Sequence, residues 1–145
     1  MANFLKQNQL TTKKQFDFVD ITEAVNQSIT ESGISDGQVL VYSNHTTASI
    51  RINHNEPMLI GDIMRVLYTL VPIESNYTHD LVEIRQNVAV DERSNGHAHV
   101  KAVLLGASET IPLRDGKLVL GDKQSVFFVE LDGGRERDYF ISIIG

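Results

Sequence analysis

The sequence predicts an α+β fold in which two packed, mostly antiparallel β-sheets carry two or three helices. Seven or eight short stretches have strand character, because apolar and polar residues alternate in them or β-branched residues cluster. Two or three other stretches place apolar residues at helical spacing. The elements do not alternate strictly as β-α-β-α, which argues against a doubly wound parallel sheet. The 145 residues show no repeat or linker and predict one domain over 1–145.

Each element follows from its local pattern. In chain order, the patterns predict two strands within residues 1–20, a helix over 22–32, strands over 38–43 and 48–53, a helix over 57–70, an irregular segment over 73–96, a helix over 97–105, and strands over 108–113, 117–120, 125–131 and 138–144. A long irregular segment in a small domain is usually functional or mobile, so residues 73–96 are a candidate functional region.

Capping and turn residues set the expected ends of these elements. A capping box beginning at Asp20 predicts the start of the first helix, and Gly33 predicts its end, because glycine adopts positive φ readily. Asn55 is the expected N-cap of the second helix. Asp115-Gly116 lies between two alternating runs and predicts a hairpin.

The composition excludes several classes of protein. Thirteen Lys and Arg against 19 Asp and Glu give a net charge of −6, which argues against nucleic-acid binding, since that affinity comes from many cations. The absence of Cys excludes disulfides, a thiol nucleophile and thiolate metal sites. No apolar run approaches the ~20 residues of a membrane span, and the first residues lack a signal-peptide pattern. We therefore expect a cytoplasmic protein without membrane contact.

Three histidines lie where predicted elements begin or end, where distant side chains can converge. They are His45, between two strands, His79, in the irregular segment, and His99, in the first turn of a helix. Three imidazoles with one open position suit a zinc-like ion better than magnesium, which prefers oxygen ligands. His97 is a weaker candidate, because it lies about 200° from His99 on a helix. The alternative is that these side chains only satisfy hydrogen bonds.

The strand over 125–131 contains a charged residue, Glu130, among apolar neighbours. A buried carboxylate needs a partner, and Arg137 supplies one if the Gly133-Gly134 turn closes a hairpin. Arg135 at that turn is then expected to be free to bind an anion, because a guanidinium matches phosphate geometry. Glu130 is also a candidate acid or base, and the alternative for both arginines is ordinary surface charge.

Weaker candidates complete the set. Asp62 in the second helix is a possible second carboxylate, and Lys101 a further cation for an anion. His54 is a possible additional ligand, and Ser108 has no neighbour that marks it as an activated nucleophile. Phosphate-loop, dinucleotide-binding and zinc-protease motifs are absent from the sequence.

The order and spacing of these residues resemble the YjbQ-like family, also described as secondary thiamine-phosphate synthases. The resemblance extends from about Phe4 to Gly145 and is carried by 45–50, 53–57, Asp62, 71–72, 77–80, 97–102, 105–108, 111–112, 116–118, Gly121, Gln124, Glu130, Arg135 and Arg137. Two positions depart from the family pattern: His54 stands in place of an acid, and Asp122-Lys123 in place of Thr-Trp. A Trp stacks on aromatic rings and Lys does not, so a different substrate is one consequence of the second departure.

The resemblance implies two packed antiparallel sheets, a homotrimer, and a site in which His45, His79 and His99 hold a metal or an anion. It also implies weak thiamine-phosphate synthase activity, which joins a pyrimidine pyrophosphate to a thiazole phosphate. We therefore expect a metal-assisted enzyme acting on a phosphorylated small molecule. The alternative is a non-enzymatic homotrimer that binds a metal or an inorganic anion.

Overall fold

The computed structural model describes residues 1–89 and 92–145. Its strands are β1 (Asn3–Thr11), β2 (Asp17–Asp20), β3 (Gly37–Tyr42), β4 (Ala48–His54), β5 (Ser108–Arg114), β6 (Lys117–Leu118), β7 (Gln124–Glu130) and β8 (Glu136–Ile144). Its helices are α1 (Thr22–Ser32), α2 (Pro57–Leu70) and α3 (Gly96–Leu105). Two single-turn 3₁₀ helices, Thr78–Asp80 and Val82–Ile84, lie within the segment predicted to be irregular.

The strands form two antiparallel sheets, which confirms the predicted fold class. The larger sheet has the order β1-β8-β3-β5-β6, and the smaller has the order β2-β7-β4. The predicted hairpin of β7 and β8 is wrong, because both edges of β8 are occupied by β1 and β3. The Gly133-Gly134 connection instead carries the chain from one sheet to the other.

The main apolar core lies between the two sheets and α1. Val126 and Phe128 of β7 belong to it, together with Val25 of α1 and Ile141 of β8. A second cluster covers the opposite face of β7, where Phe127 packs with Ala98 of α3 and with Phe18. The smaller sheet is therefore buried on both faces, and α3 is fixed against it.

Helix ends depart from the predicted capping in two places. Asp20 accepts hydrogen bonds from the backbone N–H and the hydroxyl of Thr22, but no side chain caps α1 from its N-cap position. At α2 the carboxylate of Glu56, not Asn55, accepts from the first free N–H groups, and Asn55 donates to Asp20. The two oxygens of a carboxylate can each accept a hydrogen bond from one N–H group, whereas the amide side chain of Asn has a single acceptor oxygen.

The turn at Asp115-Gly116 is a hairpin as predicted, with φ of 51° and 71°. Gly33 ends α1 with φ of 66°. Within the described residues, no helix is long and apolar enough to cross a membrane.

Candidate functional site

A polar cavity of about 300 Å³ lies where the β3–β4 loop, the N-terminus of α3 and the start of β8 meet. His45 and His99 line it from two sides. Arg93, Arg135 and Arg137 supply three guanidinium groups. Two imidazoles and three guanidiniums around one cavity, against the single carboxylate of Glu92, suit an anionic ligand. The structure thus brings together four of the residues predicted from the sequence.

His79 lies against His99, with ring centroids 4.6 Å apart and an angle of 70° between the ring planes. The His79 Nε2 atom is buried and lacks a hydrogen-bond partner among the described residues, and Glu92 Oε1 lies 3.9 Å from it. Burial lowers the pKa of His99, and His79 lowers it further. His99 is therefore neutral at pH 7 and keeps a nitrogen lone pair.

Backbone contacts at Gly96 hold these two rings together. Asp80 directly follows His79, and its Oδ1 accepts a hydrogen bond of 2.9 Å from the Gly96 N–H at the start of α3. A carboxylate is stabilised there by the helix dipole. Gly96 also packs so closely that an added Cβ would lie 2.5 Å from the Tyr77 Cβ. Glycine is therefore required at this contact.

His45 is oriented by a carboxylate on β8. Its Nε2 lies 2.6 Å from Asp138 Oδ1, and the other oxygen of Asp138 accepts a 2.5 Å hydrogen bond from Gln7 on β1. The backbone N–H of Asp138 lies 3.2 Å from the same nitrogen. In the tautomer that donates from Nε2 to the carboxylate, the lone pair lies on Nδ1. The same arrangement, in which a carboxylate orients a histidine, is common in metal sites.

Arg137 and Glu130 form the ion pair expected from the sequence. Arg137 donates to both oxygens of Glu130, at 2.8 and 2.6 Å, and also to Thr47 at 2.9 Å. Glu130 accepts further hydrogen bonds from Thr12 and from the Asp132 N–H. Burial raises the pKa of Glu130, but Arg137 and these other donors outweigh burial and hold the pKa below its ordinary value.

Glu130 is thus a charged, fully buried partner of Arg137. In this state it fixes the guanidinium at the cavity wall, which is a positioning role and differs from the predicted acid–base role.

Arg135 was predicted to be free, but in the structure it is bound to Asp132. Its guanidinium lies 2.5 Å from Asp132 Oδ2 and donates to the Asp132 carbonyl at 2.9 Å. Asp132 also accepts from Asn95 at 2.9 Å and lies 3.7 Å from Arg93. The reason is local: Asp132 precedes the two glycines, so the turn folds its buried carboxylate back onto Arg135. About a third of the Arg135 side chain still faces solvent.

The remaining predicted residues lie elsewhere. Lys101 is buried in α3, with Nζ 3.0 Å from His97 Nδ1. Burial lowers the pKa of Lys101. Burial and the charge of Lys101 together lower the pKa of His97. Asp62 is 65% exposed on α2 and pairs with Arg65. Ser108 is exposed at the start of β5, and His54 is half-buried at the end of β4.

Residues 1–89 and 92–145 contain no group of three His, Asp or Glu placed ready to hold one metal ion. His79 and His99 adjoin, and His45 shares the cavity with His99, but His45 is bound to Asp138. Sequence reasoning missed Asp132, Asp138 and Arg93. For Asp132 a signal existed, since it directly follows the buried strand that contains Glu130.

Comparison with known proteins agrees with this architecture. The family model described as UPF0047 protein YjbQ-like matches residues 6–145. A UPF0047 protein of Methanothermobacter thermautotrophicus is 37% identical over all of this chain and 94% of its own length, and one of Methanocaldococcus jannaschii is 40% identical over 94% of this chain and 91% of its own. The crystal structure of a YbjQ-like protein of unknown function from Sulfolobus solfataricus P2 superposes with a TM-score of 0.89 at 36% identity, covering 99% of this chain and 98% of the other. The resemblance read from the sequence is confirmed, and the chain belongs to the YjbQ-like UPF0047 family.

Proposed function

We propose that this protein is a metal-assisted enzyme whose cavity binds the phosphate of a small molecule. The observation that carries the proposal is the single cavity that holds Arg93, Arg135 and Arg137 beside His45 and His99. Guanidinium N–H groups bind phosphate oxygens in paired hydrogen bonds. Imidazoles that stay neutral offer lone pairs to a metal or accept a proton.

We propose a zinc-like ion as the metal, because two imidazoles adjoin beside the cavity and a third lines it. The buried Nε2 of His79 lacks a described hydrogen-bond partner, and His99 beside it is neutral. Three histidine nitrogens with one open position suit zinc. His79 and His99 would hold the ion, with His45, which Asp138 orients through its Nε2, as the third ligand. When bound, the metal would orient a phosphate oxygen and offset its charge.

The chain's own groups have separate roles in this proposal. Arg135 and Arg93 keep solvent-facing parts that can donate to phosphate. Arg137 also lines the cavity, where it is buried and donates to both oxygens of Glu130, so that Glu130 largely offsets its charge. We propose that the protein acts in the cytoplasm as a homotrimer, and that synthesis of thiamine phosphate is one reaction to test.

A second candidate is a non-enzymatic trimer that binds a metal or an anion. The ion pairing of the carboxylates favours it. Glu130 pairs with Arg137, Asp132 with Arg135, and Glu92 lies 3.4 Å from Arg85. The pKa of Glu130 is held below its ordinary value, so this buried carboxylate is a poor proton donor at neutral pH. A binding protein needs no acid or base.

Replacing His79 with alanine tests the metal site. By isothermal titration calorimetry, we expect zinc to bind the native protein and to bind the variant at least about 100-fold more weakly. Loss of a residue that only orients a ligand already lowers metal affinity by up to about 100-fold. His54→Ala is the matched control, because His54 lies at the end of β4, and should bind zinc normally. Equal zinc affinity in all three proteins would refute the assignment.

Turnover separates the two candidate functions. The zinc-loaded protein is incubated with a pyrimidine pyrophosphate and a thiazole phosphate, and released pyrophosphate is counted per chain. Repeated release that His79→Ala abolishes supports an enzyme of this class. Phosphate binding without release of any product supports the binding protein. Light scattering on the same samples reports whether the chain is a trimer.

Asp138 is expected to set zinc affinity through His45. Asp138→Asn keeps the size of the side chain but removes the charge that orients the imidazole. We expect zinc affinity to fall about 10–100-fold, the usual effect of losing such a partner. Asp122→Asn, which makes the same change at an exposed carboxylate, is the control. The absorption spectrum of the cobalt-loaded protein should change in Asp138→Asn alone; unchanged affinity and spectrum would show that His45 does not bind the metal.

A further inference from the structure

A second depression adjoins the polar cavity on the other side of the same histidines. It is a groove of about 490 Å³ between the end of β3 and α3. Its walls share three residues with the cavity: His45, Thr46 and His99. The groove and the cavity are therefore neighbouring compartments, and the imidazoles of His45 and His99 lie at their boundary.

The two compartments differ in chemistry. Most of the surface that lines the groove is apolar and comes from Tyr42, Ala48, Ala102, Val103 and Ala107, while Ser43 and Asn44 add uncharged polar groups. None of these carries a charge, whereas the cavity holds three guanidiniums. Apolar, concave surface of this kind takes up an uncharged organic group, because burial removes that group from water.

We infer that the ligand is a phosphomonoester of an apolar organic group, with its phosphate in the cavity and its organic part in the groove. This inference rests on the proposed function and adds the chemical class of the organic part. A phosphate at Arg135 and a group against Val103 place their linkage beside His45 and His99. Inorganic phosphate, and chains of phosphates, leave the groove empty and lose its contribution to affinity.

Phenyl phosphate and inorganic phosphate are the probes, titrated calorimetrically into the full-length protein. We expect phenyl phosphate to bind at least about tenfold more tightly, since a phenyl ring removes a large apolar area from water. Val103→Asp should remove this advantage and leave affinity for inorganic phosphate nearly unchanged. Val103 is 83% exposed at the rim of the groove, so the variant should fold.

Leu104→Asp is the matched control, since it makes the same change at the next, exposed residue of α3 and should leave the preference for phenyl phosphate intact. Ala107→Leu gives a second test, because the larger side chain fills the groove without adding charge. Equal affinity for both probes in the native protein, or equal loss in Val103→Asp and Leu104→Asp, overturns the inference and leaves the phosphate site standing. Failure of both probes to bind overturns the phosphate site as well.

Discussion

Replacing Arg137 with alanine is expected to lower the free energy of unfolding by about 3–5 kcal/mol, the usual cost of leaving one charge of a buried ion pair without its partner. Glu130 is fully buried, and both of its oxygens accept hydrogen bonds from Arg137. Thr12 and the Asp132 N–H remain as donors in the variant, but neither carries a charge. Chemical denaturation monitored by circular dichroism measures the change.

Arg65→Ala is the matched control, because it removes the guanidinium of an exposed pair with Asp62. Such pairs contribute about 0–1 kcal/mol, so the control should unfold almost as the native protein does. If Arg137→Ala and Arg65→Ala lose similar, small amounts of stability, then the buried pair does not stabilise the fold in the way that its geometry indicates.

The same ion pair predicts a dependence of stability on pH. Because the pKa of Glu130 is depressed in the folded protein, its contribution is present above the unfolded pKa of about 4.3 and is lost as pH falls through the lower, folded value. Glu130→Gln should lack this component of acid unfolding, while having lower stability at pH 7.

Replacing Gly96 with alanine is expected to cost about 1–3 kcal/mol of stability, the usual penalty for excess volume at a packed contact, and to weaken zinc binding as well. The added Cβ would lie 2.5 Å from the Tyr77 Cβ and 3.2 Å from Asp80 Oδ1. Relief of this overlap moves the 3₁₀ turn containing His79 away from α3, which contains His99. Thermal melts and zinc titration measure the two effects.

Gly61→Ala serves as the control. Gly61 lies inside α2, and an added Cβ there meets no atom within 4 Å. Alanine in a helix interior should stabilise the protein by roughly 0.5–1 kcal/mol and leave zinc affinity unchanged. A Gly96→Ala variant with native zinc affinity would show that the approach of the two rings does not determine metal binding.

The sequence was sufficient for the fold class and for most elements, because alternation and helical spacing report directly which face is buried. It was also sufficient for the pairing of Glu130 with Arg137, since a carboxylate among apolar residues needs a charged partner. The route was predicted incorrectly: the two residues meet across the space between two sheets, and not across one hairpin. Which strands pair depends on all the strand edges present in the fold, and local sequence patterns do not contain that information.

The site was less predictable than the fold. Lys101 resembled a free cation, but its position on the face of α3 that packs against the smaller sheet buries it beside His97. Arg135 was expected to be free because the sequence pattern does not indicate that the turn after Asp132 folds its carboxylate back onto Arg135. No local sequence pattern indicates a role for Asp138. Its contacts form only because the fold brings β8 beside Gln7 of β1 and beside His45 of the β3–β4 loop.

The position of β8 between β1 and β3 has a consequence for the order of folding. Gln7 and Asp138 are 131 residues apart, and the β1–β8 ladder pairs Asn3 with Ile144 at one end and Thr11 with Glu136 at the other. During synthesis, β1 and β3 emerge long before the strand that joins them, so the larger sheet closes only when β8 leaves the ribosome. Such non-local closure is slow, because loop entropy is lost before contacts form. Arg137 and Asp138 belong to this strand, so the cavity is complete only after β8 has paired.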